Sequence, residues 1–265
     1  MISVYDNTFI LVYSIAVAFL LGAAIGSFLN CAAYRICEGQ SFIKGRSHCT
    51  SCGHELSFFD LIPVFSFIFL RGRCRYCKSK LSPRYLITEL IFAALTVGCL
   101  LRFDLTLLCL RNYIFLCCLF CLTLTDLKSY IIPNGCIIIS AAAWLLYLPF
   151  SGMGWKDILF SVIASVVYGG GILLISLLLD KLLKKESMGG GDIKLFAVVG
   201  LYFGLVGTLF AVIIACVLGL IFAAVIKKKS KEGKKPFPFG PAIAVSSVIM
   251  MFVGQSITNW YLGLF

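Results

Sequence analysis

Long apolar runs separated by short polar breaks set the pattern of this chain. An α-helix needs about 20 apolar residues to cross a bilayer, and eight stretches come close to that length or reach it: 8–30, 85–101, 111–127, 135–150, 157–179, 192–206, 208–226 and 241–259. The fourth and sixth are the shortest, and only the Gly204–Gly207 region separates the sixth from the seventh. The run 61–70 is too short to span and carries Pro63, so it reads as a re-entrant, interfacial or domain-core piece. The pattern predicts an all-α polytopic membrane protein of about eight transmembrane helices. Its organisation reads as a first transmembrane helix (1–33), a polar segment (34–84) and a seven-helix membrane domain (85–265).

Composition agrees: 60% of the residues are hydrophobic and 13% charged, against about 45–50% apolar in soluble domains. The net charge of +11 is a topology signal, because 20 of the 23 Lys and Arg residues fall in segments that eight spans place on one side. Basic loops stay in the cytoplasm, so both termini are expected outside and the loops inside, against anionic lipid. A nucleic-acid partner is the wrong inference from this charge. Residues 1–7 have no positive region and the first span is full length, so no cleavable signal peptide is expected.

The polar segment holds Cys49-x2-Cys52 and, 21 residues on, Cys74-x2-Cys77. Two such knuckles present four thiolates in the tetrahedron of a structural zinc ribbon, and a segment this short has too little core to fold unaided. A redox use is the alternative, disfavoured on the reducing cytoplasmic side. His48 and His54 flank the first knuckle without being needed as ligands. The other nine cysteines show no paired spacing and read as small hydrophobes. Glu89 is a buried-acid candidate that a nearby Arg such as Arg84 could pair with, and Gly26, Ser27 and Asn30 read as helix-packing residues. No internal repeat is visible.

Chemistry concentrates at two acids. Asp126 closes the third span, and Asp192 opens the sixth after Gly189-Gly190-Gly191. Both arrive at the cytoplasmic rim, so topology alone brings residues 66 positions apart to one membrane depth. An acid in the first helical turn is an ordinary capping choice, yet an ionisable group at a membrane helix points to function. Two carboxyl groups sharing one site keep one proton between them. One then activates water while the other polarises a carbonyl and donates to the leaving amine. The three glycines, lacking Cβ atoms, could let a substrate backbone approach closely.

With these motifs in place, the sequence resembles the type IV prepilin leader peptidases, membrane aspartic proteases of the G-x-G-D kind. The resemblance rests on Gly26-Ser-Phe-Leu-Asn30 with Tyr34-Arg35, both C-x-x-C pairs, and Asp60-Leu-Ile-Pro63. It continues through Gly72-Arg-Cys74, Ser82-Pro-Arg-Tyr85 to Glu89, Asp126 to Pro133, Gly189 to Leu195, and Phe239-Gly240-Pro241. It implies that Asp126 and Asp192 are the catalytic pair. They would cleave prepilin-like or pseudopilin-like precursors after a Gly, on the cytoplasmic face of a bacterial inner membrane. Many members also methylate the new N-terminus with S-adenosylmethionine; no methyl-donor fingerprint stands out here, and that activity is left unassigned. A membrane thiol-redox carrier and an ion-coupled transporter are the rival readings.

Overall fold

Asn7 starts the first long helix, α1 (Thr8–Cys37), by accepting the Phe9 N–H at 2.8 Å, an N-cap that satisfies one of the free donors of the first turn. The computed structural model describes residues 4–5, 7–41, 45–49, 51–185, 188–229 and 238–264. Seven further α-helices follow in order: α2 (Phe65–Phe69), α3 (Arg84–Phe103), α4 (Leu107–Ser129), α5 (Asn134–Tyr147), α6 (Trp155–Leu183), α7 (Gly190–Lys229) and α8 (Gly240–Leu262). Six of them (α1, α3, α4, α6, α7 and α8) are long and apolar enough to cross a membrane.

The eight expected spans map onto this set with one difference. The fourth is α5 and the turn after it, an apolar helix of Asn134–Phe150 that is shorter than the six. The sixth and seventh, as expected, are two helices meeting at a kink within α7, whose 40 residues would measure about 60 Å if straight, twice a bilayer core. It is not straight: Gly204 leaves the helical region at φ 66°, ψ −170°, a conformation that only glycine adopts cheaply. Thr208 Oγ1 donates to the freed Gly204 carbonyl at 2.6 Å. The run 61–70 contains the five-residue α2, whose Phe65, Ile68 and Phe69 are exposed.

Packing divides the chain into two compact units, Met1–Tyr113 and Ile114–Phe265, with the boundary inside α4. The sequence boundary at 84/85 marks where polar gives way to apolar. The packing boundary comes later because α3 folds back onto α1 and joins the first unit.

Small residues make the first unit's seam. A Cβ on Gly22 would lie 2.6 Å from Thr96 Oγ1, and one on Gly26 3.0 Å from Phe92 Cβ. The backbones can therefore approach closely, as membrane helices do when apolar burial gives them no advantage over lipid. Asn30 Nδ2 reaches across this seam to Thr88 Oγ1. Glu89 is buried on α3, and it does not pair with Arg84. Its Oε2 instead accepts the Val64 N–H at 2.9 Å.

In the second unit α6 and α7 pack by the same device, Gly169 against Ala197 and Gly200 against Ser165. Tyr168 donates to the Leu205 carbonyl at 2.8 Å, just past the α7 break. Tyr202 donates to the Ser140 carbonyl of α5 at 2.9 Å while its ring stacks on Phe115 of α4, centroids 4.0 Å apart.

Candidate active site

Asp126 sits in the last turn of α4, and Tyr130 N–H closes that turn on the Asp126 carbonyl at 3.0 Å. Tyr130 then takes φ +56° and Pro133 extends the chain before α5 begins. This corner is where α7 starts. Lys194 Nζ donates to Asn134 Oδ1 at 3.0 Å. A Cβ on Gly191 would lie 2.8 Å from Ile132 Cβ, so the missing side chain lets the head of α7 close on residues 130–134. Asp192, half-buried in the first turn of α7, is thereby brought to the corner that follows Asp126.

Asp126 is 5% exposed, and its Oδ2 accepts the Gly240 N–H at 2.9 Å. The donor is the first residue of α8, where backbone N–H groups are free and the helix dipole favours an acceptor. A Cβ on Gly240 would lie 2.7 Å from the same oxygen, so only glycine brings the amide this close. Phe239 braces the turn with its ring 6.2 Å from that of Phe196. Asp192 Oδ1 is buried with no hydrogen-bond partner among the described residues, leaving an oxygen for a reacting group or a shared proton.

Sequence reasoning singled out Phe239-Gly240-Pro241 without giving Gly240 a role. A glycine between Phe239 and Pro241 at the head of an apolar run was the signal, but nothing local says which acid its amide meets. Of the three glycines before Asp192, Gly191 contacts this chain's own Ile132. Gly189 and Gly190 are exposed; a Cβ would meet only the Asp192 carboxyl at 3.3 Å from Gly189, and nothing within 4 Å from Gly190.

The four cysteines converge in the first unit. Their Sγ atoms all lie within 4.8 Å of one another, with Cys49 and Cys77 3.8 Å apart. Zinc–sulfur bonds of about 2.3 Å in a tetrahedron separate sulfurs by about 3.8 Å, so the set fits a zinc ion. The two knuckles are built alike. Cys49 N–H bonds to His54 O and Gly53 N–H to Cys49 O; Cys74 N–H bonds to Ser79 O and Lys78 N–H to Cys74 O. Each is flanked by one antiparallel bridge, His48 with Glu55 and Arg73 with Lys80. This is a short structural repetition that shows in the sequence only faintly: beyond the cysteines, Arg46 and Leu56-Ser57 recur as Arg71 and Leu81-Ser82.

Backbone N–H groups of Cys52 and Ser51 pull the Cys49 thiol down to about 6, toward the thiolate that binds metal. His54 lies against the Tyr76 ring, centroids 3.7 Å apart. Asp60, braced by Ser57 Oγ at 2.8 Å, ties the intervening loop to the second knuckle through Arg75 Nε at 2.6 Å. Burial pushes the Asp60 carboxyl up, but these partners outweigh it and hold it below the usual range.

Two family models match the chain, Bacterial Peptidase A24 N-terminal domain over residues 20–103 and Type IV leader peptidase family over residues 113–224. Three similar curated proteins carry the name prepilin leader peptidase/N-methyltransferase. The protein of Bacillus subtilis (strain 168) is 31% identical over 94% of this chain and 98% of its own length. That of Aeromonas hydrophila is 29% identical over 93% of each, and that of Pseudomonas putida 28% identical over 92% of each. No solved structure matches the chain. Matched along nearly its whole length, the chain belongs to the type IV leader peptidase family.

Proposed function

We propose that the protein is a multi-pass membrane aspartic endopeptidase that removes the leader of prepilin-like precursors and methylates the N-terminus so exposed. What supports the peptidase reading is that Asp126, at the end of α4, and Asp192, at the start of α7, lie in one unit at the corner where Gly191 closes on Ile132. One carboxyl of the pair activates water; the other, carrying the proton, polarises the scissile carbonyl and hands the proton to the leaving amine. Gly240 N–H holds Asp126 for that task. Gly189 and Gly190, exposed beside Asp192, offer space for the substrate backbone. The run of basic loops supports a cytoplasmic orientation for this site in the bacterial inner membrane. Cys49, Cys52, Cys74 and Cys77 would hold a zinc ion that ties the first unit's loop together, and S-adenosylmethionine would supply the methyl group. Family membership gives no support to a thiol-redox carrier or an ion-coupled transporter.

The test is co-expression with candidate prepilin-like precursors in a host lacking its own peptidase, followed by mass spectrometry of the precursor. Leader loss and a methyl increment of about 14 Da are expected. No leader loss with any precursor that ends its basic leader in Gly would count against the reading.

A further inference from the structure

The peptidase chemistry accounts for the second unit and leaves the short apolar run of the first without a role. From the first knuckle the chain descends through a 3-10 turn, Phe58–Leu61, reverses at Pro63-Val64 and returns through α2 to the second knuckle. Val64 makes the reversal at φ 63° and ψ −55°, a backbone that a β-branched residue adopts only where its surroundings impose it. Those surroundings are the long apolar helices. Val64 shares a buried cluster with Ala23 of α1 and Ala93 of α3, and its N–H goes to Glu89 of α3.

Depth follows from α3. Its 20 residues, Arg84–Phe103, rise about 30 Å, the thickness of the hydrocarbon core of a bilayer. Glu89 and Ala93 stand about 8 and 14 Å along that helix from Arg84, at about 1.5 Å per residue, so the reversal lies well below the headgroups. Irregular backbone is tolerated at such a depth only where its polar groups are satisfied. The apex meets that condition residue by residue. Pro63 has no N–H. Val64 N–H goes to Glu89 Oε2 at 2.9 Å, Phe65 N–H to Pro63 O at 2.6 Å and Ser66 N–H to Ile62 O at 3.0 Å.

The hairpin has two sides. Ser66, Phe67 and Leu70 turn inward and line a cavity of about 230 Å³ against α1 and α3. Phe65, Ile68 and Phe69, at the i, i+3, i+4 spacing of one helix face, are exposed, as are Phe58 and Phe59 on the descending arm. Arg71 and Arg73 follow at once. The Leu81 N–H to Gly72 O bond and the Arg73–Lys80 bridge hold them beside Lys80, just before α3 begins. All three cations are exposed, with no acid in ion-pair range among the described residues. An aromatic tip below a basic collar suits a segment that enters a leaflet beneath anionic headgroups. We infer that residues 58–70 are a re-entrant hairpin inserted into the leaflet on the side of the cysteine-bearing loop. Lipid acyl chains cover its outward aromatic face, and Glu89 holds its apex. The four-cysteine loop is thereby fixed to the membrane at its middle as well as at its two ends.

Fluorescence quenching in liposomes tests this on the full-length chain. With Trp144, Trp155 and Trp260 replaced by Phe, a single Trp is introduced by Phe65→Trp, by Phe69→Trp or, as a reference on the second knuckle, by Tyr76→Trp. The first two should be quenched by phosphatidylcholine brominated on its acyl chains and shielded from aqueous iodide, and Tyr76→Trp should show the reverse. In the otherwise native chain, p-benzoylphenylalanine in place of Phe69 should crosslink on illumination to phospholipid, read by mass spectrometry. Glu89→Leu leaves the Val64 N–H without its acceptor at a depth where none is at hand, and should raise iodide quenching of Phe69→Trp toward that of Tyr76→Trp. Glu89→Gln keeps an oxygen for that N–H and should leave it shielded. Iodide quenching of Phe65→Trp and Phe69→Trp as strong as that of Tyr76→Trp would place the hairpin in water and overturn the inference. Shielding and crosslinks that appear only with added precursor would overturn it too, giving the face to the precursor's apolar helix. Unchanged shielding in Glu89→Leu would remove Glu89 as the anchor.

Discussion

Glu89 in α3 and Asp126 in α4 each accept a backbone N–H from the residue that opens another helix, Val64 before α2 and Gly240 at the head of α8. Both acids are buried, 8% and 5% exposed, and both are held through one oxygen with no cation in ion-pair range among the described residues. Their settings differ. Beside Asp126 lies a second acid, Asp192, carried in by a helix whose head closes on the α4–α5 corner. Beside Glu89 lies a cavity. The same backbone anchor thus stands in two settings: beside Asp126 a second acid that could share its proton, and beside Glu89 a cavity.

The sharpest way to break this contrast is to remove the acid chemistry from the second unit alone. Asp126→Asn and Asp192→Asn should each lower leader cleavage by a factor on the order of 10³ or more, since Asn can neither ionise nor carry the shared proton. Protein level and unfolding temperature should hold. Near wild-type processing by either variant would mean that the two acids are a structural pair.

Anchoring is the next lever. Gly240→Ala places a methyl 2.7 Å from Asp126 Oδ2, forcing the carboxyl or the head of α8 to move. Gly191→Ala meets Ile132 at 2.8 Å and shifts Asp192. A displacement of about 1 Å at a reacting group can cost on the order of a hundredfold in rate. Cleavage assays should show that loss mainly in kcat, with an altered pH profile for Gly240→Ala. A loss confined to unfolding temperature, with kcat intact in the folded fraction, would reduce both glycines to packing residues.

Metal removal tests the first unit. Replacing Cys49, Cys52, Cys74 and Cys77 together by Ser should abolish binding of about one zinc per chain. It should also open the loop around them to proteolysis, because metal binding and local folding are coupled. Cleavage should survive in part, since the Asp pair lies in the other unit. Protease resistance equal to wild type without zinc would show that the loop folds without its metal.

These experiments also bear on what the sequence could reveal. Spacing exposed the four-cysteine cluster, and hydropathy put Asp126 at the end of one helix and Asp192 at the start of another, because both signals are periodic or local. The acids' anchors were not legible. Val64 and Glu89 are 25 positions apart, Gly240 and Asp126 114 apart, and each contact is a backbone N–H that any residue type carries. The Glu89–Arg84 pairing failed for a related reason. Charge complementarity along one helix suggested it, but the packing of the α2 turn supplied a different donor. The break inside α7 was legible too: the sequence separates the sixth and seventh spans at Gly204–Gly207, and Gly204 leaves the helical region there.

The smallest effect is expected at Gly190, and it separates the two uses of glycine around Asp192. Gly191 is short of a side chain for the sake of Ile132, whereas a Cβ on Gly190 meets nothing within 4 Å. Gly190 also lies in the helix and is not among the positive-φ glycines. Alanine there should stabilise the protein by roughly 0.5–1 kcal/mol, through the entropy of the unfolded chain and better helix propensity. If the exposed Gly189–Gly190 edge lies along the substrate backbone, the same methyl stands between enzyme and precursor. KM for leader cleavage should then rise by about fivefold, roughly 1 kcal/mol, with kcat held. The two readouts move in opposite directions, which a purely structural role cannot produce. Greater stability with an unchanged KM would show that the precursor does not pass along this edge.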